Sequence, residues 1–454
     1  MLQKKKERNY TMNMCEGPLL GKILIFALPL MLSSILQLLF NAADVIVVGN
    51  FAGSESLAAV GSTGSLINLL TNLFVGLSVG VNVTVAHFMG AGEKKRIEKT
   101  VHTAILLALM SGIFLAAAGI LSVKTLLVWM SSPEDVIGLA ELYLRIYFLG
   151  MPAVMLYNFG SAVLRAAGDT KRPLYYLSFA GVVNVILNLI FVIGFDMGVA
   201  GVGTATVASQ YISGLLVLRC LMQEKECLRL RLKELRIHWE VLGQLLCIGF
   251  PAGIQGTIFS LSNVVIQSSI NSFGSTVMAG SAAAANLEGF VYVAMNAFYQ
   301  TALTFIGQNF GAGKKERITK ILLLCQGLVI LCGLVLGNGA YLFGTKLLAI
   351  YSQDPVVIAA GMKRMFFICC FYFLCGIMDV MVGALRGIGY SVMPMIVSLL
   401  GACGLRLLWI ATVFAGIHTQ EALYLSYPVS WFLTASVHFL CYLIVWNRIK
   451  RKKM

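Results

Sequence analysis

The sequence predicts an all-α polytopic membrane protein. It reads as twelve transmembrane helices in two six-helix bundles, related by a pseudo-twofold axis along the membrane normal. Three observations carry this. First, 58% of the 454 residues are hydrophobic and only 12% are charged, where soluble domains carry about 25% charge. The mean hydropathy is +0.84, and a water-soluble globule of this length has too little interior to hide that much apolar surface. Second, twelve apolar stretches reach the roughly 20 residues that a helix needs to cross a bilayer. Third, the chain repeats itself at an offset of 221–222 residues.

The stretches are taken in chain order. Residues 22–49 form the first span; it carries Pro29, Asn41 and Asp44 and is too long for a cleavable signal segment, so it reads as a retained helix. Span 57–88 ends at Gly90-Ala91-Gly92. Span 100–123 follows the basic run Lys94–Lys99, and 136–163 ends before Arg165. Span 174–195 opens behind Lys171-Arg172-Pro173 and holds Asn184 and Asn188; 199–221 closes the first half. The second half supplies 243–271, 277–309, 319–344, 356–385, 391–415 and 421–446. Domain limits follow as 1–222, a linker 223–240, and 241–454. In the linker, Leu228, Leu230 and Leu232 alternate with charge, the period of an extended segment lying on a membrane interface, and the chain turns helical from Trp239.

Charge settles orientation. Of the 34 lysines and arginines, 28 fall in the two termini, the linker and the loops on one side, while the opposite loops hold only Lys124 and Lys346. Basic residues mark the cytoplasmic face, so both termini are expected there. That distribution also explains the net charge of +14 as topology, with no nucleic-acid partner. The eleven cysteines include no CxxC pair and read as small packing residues, without a disulfide framework or a zinc site.

The duplication is ordered. Pro29 matches Pro251, Asn41 matches Asn263, and Gly90-Ala91-Gly92 matches Gly311-Ala312-Gly313. Leu164-Arg165 matches Leu385-Arg386, Pro173 matches Pro394, and Ser209 matches Ser430. Each half has six spans, an even number, so both begin and end on the same side. The repeats are therefore parallel, and two such bundles facing one another suit alternating access.

Polar groups inside these spans carry the functional reading. Asp44 lies within FNAADVIVVG. A charge at bilayer depth costs roughly 2.5–3.5 kcal/mol on insertion scales, so such a carboxylate is protonated, paired or facing a watery cavity. One carboxylate able to hold an ion or a cationic cargo is the minimal chemistry of exchange; the plainer reading is a structural carboxylate satisfied by hydrogen bonds. Asn184 and Asn188 stand at i, i+4 and share a face that could orient a carboxylate or coordinate a cation, or simply glue helices together. Asp379 has Asn158 as its repeat partner, an asymmetry between the halves. Glu288 follows four alanines that permit close helix approach, and it is a candidate for binding cationic cargo. Arg406 is the one basic residue deep in its span, and a structural ion pair with Glu288 or with Asp379 is expected, because neither charge tolerates isolation at low dielectric.

Taken together, Ala27-Leu28-Pro29, the two glycine triplets, Ala384-Leu385-Arg386-Gly387 and the run from Asn184 to Asn188 resemble the multidrug and toxic compound extrusion (MATE) transporters. The resemblance covers residues 17 to 447. It implies a V-shaped pair of bundles that exports organic cations in exchange for H+ or Na+. It also implies that Tyr143 and Thr206 join Asp44, Asn184 and Asn188 in one ion-coupling network, and that Asp379 couples a cation in the second half. Two departures stand out. Many relatives have aspartate where this chain has Asn188, which removes a titratable site. Some branches place a glutamate on the seventh helix, where this chain has Ser260, Ser262 and Asn263 flanked by Gln255 and Gln267. The pattern looks closer to the bacterial DinF-like branch.

Substrate-binding candidates are Glu288, Met295, Tyr299, Asn158, Gln255 and Asn263, since methionine, aromatic rings and amides accept varied cations. For any single methionine or ring, core or lipid-facing packing is the plainer reading. No cofactor is expected, only H+ or Na+ as coupling ion, with Na+ at Asp44 or Asp379 as the one metal. The expected partners are small organic cations and membrane lipid, the expected state is a monomer, and the expected place is the bacterial cytoplasmic membrane. Two alternatives differ in class: a flippase for a lipid-linked headgroup, which needs a strongly basic cavity, and a channel. A membrane enzyme is disfavoured, because no HExxH metal motif occurs in the chain.

Overall fold

The computed structural model describes residues 11–129 and 134–451. Among these, the regular structure is helical, with no strand. Ten helices are long and apolar enough to cross a membrane, and two bent helix pairs bring the number of spans to twelve. The first half comprises α1 (Leu19–Phe51), α2 (Ser54–Ala91), α3 (Lys94–Trp129), α4 (Glu134–Leu149), α5 (Met151–Ala166), α6 (Lys171–Asn188) and α7 (Gly198–Gln223). The second comprises α8 (Trp239–Asn271), α9 (Ser275–Gly311), α10 (Lys315–Leu342), the short α11 (Gly344–Leu348), α12 (Pro355–Cys369), α13 (Tyr372–Gly387), α14 (Val392–Ser398), α15 (Leu405–Trp409) and α16 (Gln420–Arg451).

Two expected spans are broken. Residues 136–163 form α4 and α5, bent by 46°, and residues 356–385 form α12 and α13, bent by 42°. In the first pair Pro152 supplies the cause: it sits in the first turn of α5, where its missing N–H costs nothing, and it cannot continue α4. The break recurs one repeat later at Cys370 and Phe371, without a proline. Several helices also outrun the predicted spans. The basic run Lys94–Lys99, expected in a loop, forms the opening turns of α3.

The glycine triplets explain that short connection. Gly92 has φ +72° and Gly313 has φ +68°, left-handed positions that end α2 and α9 and favour glycine. Gly90 and Gly311 serve close approach: a Cβ on Gly90 would run into the Gln308 carbonyl, and one on Gly311 into the His87 carbonyl.

Contacts divide the chain into two compact units. The first contains the described residues up to Leu57, Thr84–Leu242 and Gln308–Lys314; the second contains Ala58–Val83, Gly243–Gly307 and the described residues from Lys315. In the first, α5 is central: it packs on α3 and α7, and Met155, Phe159 and Leu164 are fully buried. In the second, α13 holds the same place against α10 and α16, with Val380, Ala384 and Leu385 fully buried. Large apolar side chains face outward, among them Leu121 at 83% and Leu342 at 77% exposure. In water such surfaces would aggregate; against lipid tails they cost nothing.

The linker alternates as expected over 228–231, with Leu228 and Leu230 buried and Arg229 and Arg231 exposed. The pattern fails at Leu232, which is half exposed and opens a 3₁₀ turn.

Candidate functional site

In the first unit, α1 and α6 are held close because Gly181 has no side chain: a Cβ there would strike the ring of Phe40. One helical turn beyond Phe40 on α1 stands Asp44, 8% exposed. Asn188, fully buried at the end of α6, donates through Nδ2 to Asp44 Oδ1 at 2.5 Å and to Asn184 Oδ1 at 3.3 Å. Thr206 on α7 lies 3.4 Å from Asp44 Oδ2 and 2.9 Å from the Val202 carbonyl, and it accepts from Asn184 Nδ2 at 3.5 Å. A threonine hydroxyl has one proton. When that proton serves the closer Val202 carbonyl, Thr206 offers Asp44 a lone pair.

Every hydrogen-bonding partner of Asp44 is therefore neutral, and no cationic side chain pairs with it among the described residues. The Oδ1 of Asn188 is buried without a partner. Directly after Asn188 the helix widens into a π-turn, Leu189–Gly194, a distortion frequent at functional sites. Its copy one repeat later is the π-turn Ile410–Phe414. Tyr143 is buried, packs beside Tyr147 with ring centres 5.9 Å apart, and lies near Gly203 of α7, but its hydroxyl makes no hydrogen bond to Asp44. Four of the five residues expected around Asp44, counting Asp44 itself, thus share one hydrogen-bonded network, and Tyr143 stands beside it.

The second unit contains a cavity of about 510 Å³, within the usual range for small-molecule sites. Asp379 lines it and makes no hydrogen bond or ion pair among the described residues. Opposing it in character is Arg406, whose Nε donates to Ser430 Oγ at 2.8 Å and whose guanidinium lies 4.3 Å above the Tyr427 ring and 5.5 Å above that of Trp431. Tyr292, Tyr372 and Trp431 form a stacked series, at 6.3 Å and 5.3 Å between centres. Asn263 lines the same space, and Asn72 faces it while donating to Ser260 Oγ at 2.9 Å.

Other expected site residues are engaged elsewhere. The ion pair expected between Arg406 and Glu288 or Asp379 is not formed. Glu288 pairs with Arg364: Nε to Oε1 at 2.9 Å and a terminal nitrogen to Oε2 at 2.8 Å, while Ser281 Oγ accepts a third bond at 2.8 Å. Aromatic faces and one hydroxyl take the place of a carboxylate for Arg406. Gln255 and Tyr299 accept from Arg386, at 2.8 and 2.9 Å. Met295 is buried among α9, α10 and α13, against Gly333 and Gly376. Asn158 donates back to the Val154 carbonyl of its own helix at 2.9 Å. Arg364, Tyr372, Tyr427 and Trp431 were not legible as site residues. The repeat holds one signal: Tyr427 stands 221 positions after Thr206, and Ser430 the same distance after Ser209.

A family model described as MatE matches residues 29–190 and 251–411. A probable multidrug resistance protein YpnP of Bacillus subtilis is 29% identical over 427 residues, covering 94% of this chain and 95% of its own. A probable multidrug resistance protein NorM of Thermotoga maritima is 27% identical, covering 86% and 85%. Among solved structures, an outward-facing multidrug resistance MATE family transporter superposes with a TM-score of 0.89 at 21% identity, over 98% of this chain and all of its own.

Proposed function

The chain belongs to the MatE family, and from that premise we propose that it exports organic cations in exchange for H+ or Na+, with Asp44 holding the coupling ion. It is a multi-pass membrane transporter, not an enzyme. Two of its relatives are named as probable multidrug resistance proteins, which supports efflux of drugs as the activity.

The observation that carries the reading is the neutrality of everything bonded to Asp44. Asn188, Thr206 and Asn184 orient the carboxylate without neutralising it. A buried charge left in that condition is costly. A proton, or one Na+ taken up among the carboxylate, the Thr206 lone pair and the Asn184 carbonyl, removes the cost. An ion therefore binds where it lowers the free energy of the state that buries it, which is what coupling requires. Cargo meets a different surface, the aromatic cavity with Asp379. A single arginine faces that cavity, so it lacks the strongly basic lining that a headgroup flippase needs. In this reading both termini and the linker are cytoplasmic, the bilayer is the bacterial inner membrane, and the working unit is a monomer.

The test is efflux of a fluorescent organic cation from proteoliposomes, driven separately by a pH step and by a Na+ step. One of the two steps should drive efflux by the wild type, and Asp44→Asn should lose that drive while retaining dye binding. Full ion-driven efflux by Asp44→Asn would remove the assignment, and dye flux without any counter-flux would favour a channel.

A further inference from the structure

We propose that the first unit carries a binding site for the phosphate of an anionic lipid headgroup, built where the linker meets the opening turns of α3. A cavity of about 500 Å³ lies there, lined by Lys95 and Lys99 from α3 and by Lys233, Arg236 and His238 from the linker. It is separate from the Asp44 network and from the aromatic cavity.

The charge balance is the first argument. Two carboxylates, Glu98 and Glu234, also line the cavity. Both are taken by Arg231, at 3.5 and 3.0 Å. Lys95, Lys99, Lys233 and Arg236 are left with no ion pair among the described residues. Arg231 offsets only one of the two carboxylate charges, so the four cations keep a net excess of three positive charges around one concavity; they repel each other, and an anion relieves the repulsion. His238 registers the same field: burial, then Arg236 and Lys99, hold its imidazole below the usual histidine range. It accepts from Arg236 Nε at 3.3 Å, the bond of a neutral ring.

The second argument is that the site is built in advance. His102 is buried, and its Nε2 accepts the Arg231 backbone N–H at 3.1 Å while Nδ1 donates to the Glu98 carbonyl at 2.8 Å. Thr103 Oγ1 accepts the backbone N–H of His238 at 3.2 Å. Two side chains of α3 thus pin the linker on either side of Lys233 and Arg236.

A lipid is favoured over a soluble phosphate by the flanking residues. Trp239 is 77% exposed and Leu232 is 50% exposed. An indole and a leucine beside a basic cluster are the pattern of a segment lying at a membrane surface, and anionic headgroups sit at that depth.

The test uses the full chain in detergent, titrated with dioleoyl phosphatidylglycerol, with dioleoyl phosphatidylcholine, and with inorganic phosphate. Bound adducts are counted by native mass spectrometry. Wild type should retain phosphatidylglycerol at concentrations where phosphatidylcholine is lost. The triple variant Lys99→Gln, Lys233→Gln, Arg236→Gln should bind phosphatidylglycerol roughly 100-fold more weakly, since each basic residue beside an anionic surface contributes about a fivefold factor. Should the triple variant fail to fold, the exposed single variant Lys233→Gln carries the test, with about a fivefold loss. Equal phosphatidylglycerol binding by wild type and variants, or equal binding of the two lipids by wild type, overturns the site. Displacement of phosphatidylglycerol by inorganic phosphate at matching concentration overturns the lipid assignment. No step of this test depends on transport, so its outcome is independent of the exchange mechanism.

Discussion

Glu288 on α9 and Arg364 on α12 meet through two parallel hydrogen bonds of 2.9 and 2.8 Å inside the second unit. Fork-to-fork pairing of this kind satisfies both carboxylate oxygens and fixes two helices in register. It balances the Glu288 charge with the Arg364 guanidinium, so the carboxylate presents no unpaired charge to a cationic cargo. Removing one partner strands the other as a buried charge, which costs about 3–5 kcal/mol, whereas replacing both by apolar side chains is often near neutral. Arg364→Met is therefore expected to lower the thermal midpoint of the purified protein sharply, and Glu288→Met with Arg364→Leu to recover most of it. A single variant of wild-type stability but weaker dye binding would return Glu288 to the cargo site.

Asn188 bonds directly to the Asp44 carboxylate, and this makes it a positioning residue. Interhelical hydrogen bonds in membranes are worth only about 0.6 kcal/mol on average, so Asn188→Ala should leave thermal stability nearly unchanged. Its effect belongs in coupling. The ion concentration giving half-maximal driven efflux should move by about threefold or more, while the KM for dye stays constant. A shifted dye KM with an unmoved ion dependence would show that the amide serves cargo instead.

The sequence showed the spans because hydropathy is a one-dimensional property: twenty apolar residues are visible without knowing their neighbours. Breaks within spans were harder. The bend before Met151 has Pro152 as its marker, but its copy before Tyr372 has no proline and is visible only through the repeat. The Asp44 network was partly legible, since Asn184 and Asn188 share a face by spacing, whereas Thr206 and Tyr143 came from the family resemblance. Charge pairing is hidden from the sequence for a physical reason. Which arginine meets Glu288 depends on how α9 and α12 are rotated, a tertiary quantity that hydropathy does not contain. Arg386 falls just beyond the predicted span 356–385. It lies instead in the buried last turn of α13, where it occupies Tyr299 and Gln255.

The aromatic cavity of the second unit makes the last prediction, because Asp379 and Arg406 pull a bound cation in opposite directions. Asp379 attracts it, so Asp379→Asn should raise the KM for a monovalent organic cation. Arg406 repels it and also occupies the faces of Tyr427 and Trp431. Arg406→Gln should lower that KM by removing the like charge and freeing both rings. Cation–π contacts are worth about 0.5–2 kcal/mol, so in the Arg406→Gln background, where the ring is free, Trp431→Ala should weaken cation binding by roughly 2- to 30-fold, and Trp431→Phe by less. Efflux measured across a range of dye concentrations separates the cases. If Asp379→Asn and Arg406→Gln shift the KM in the same direction, the cavity selects for something other than positive charge.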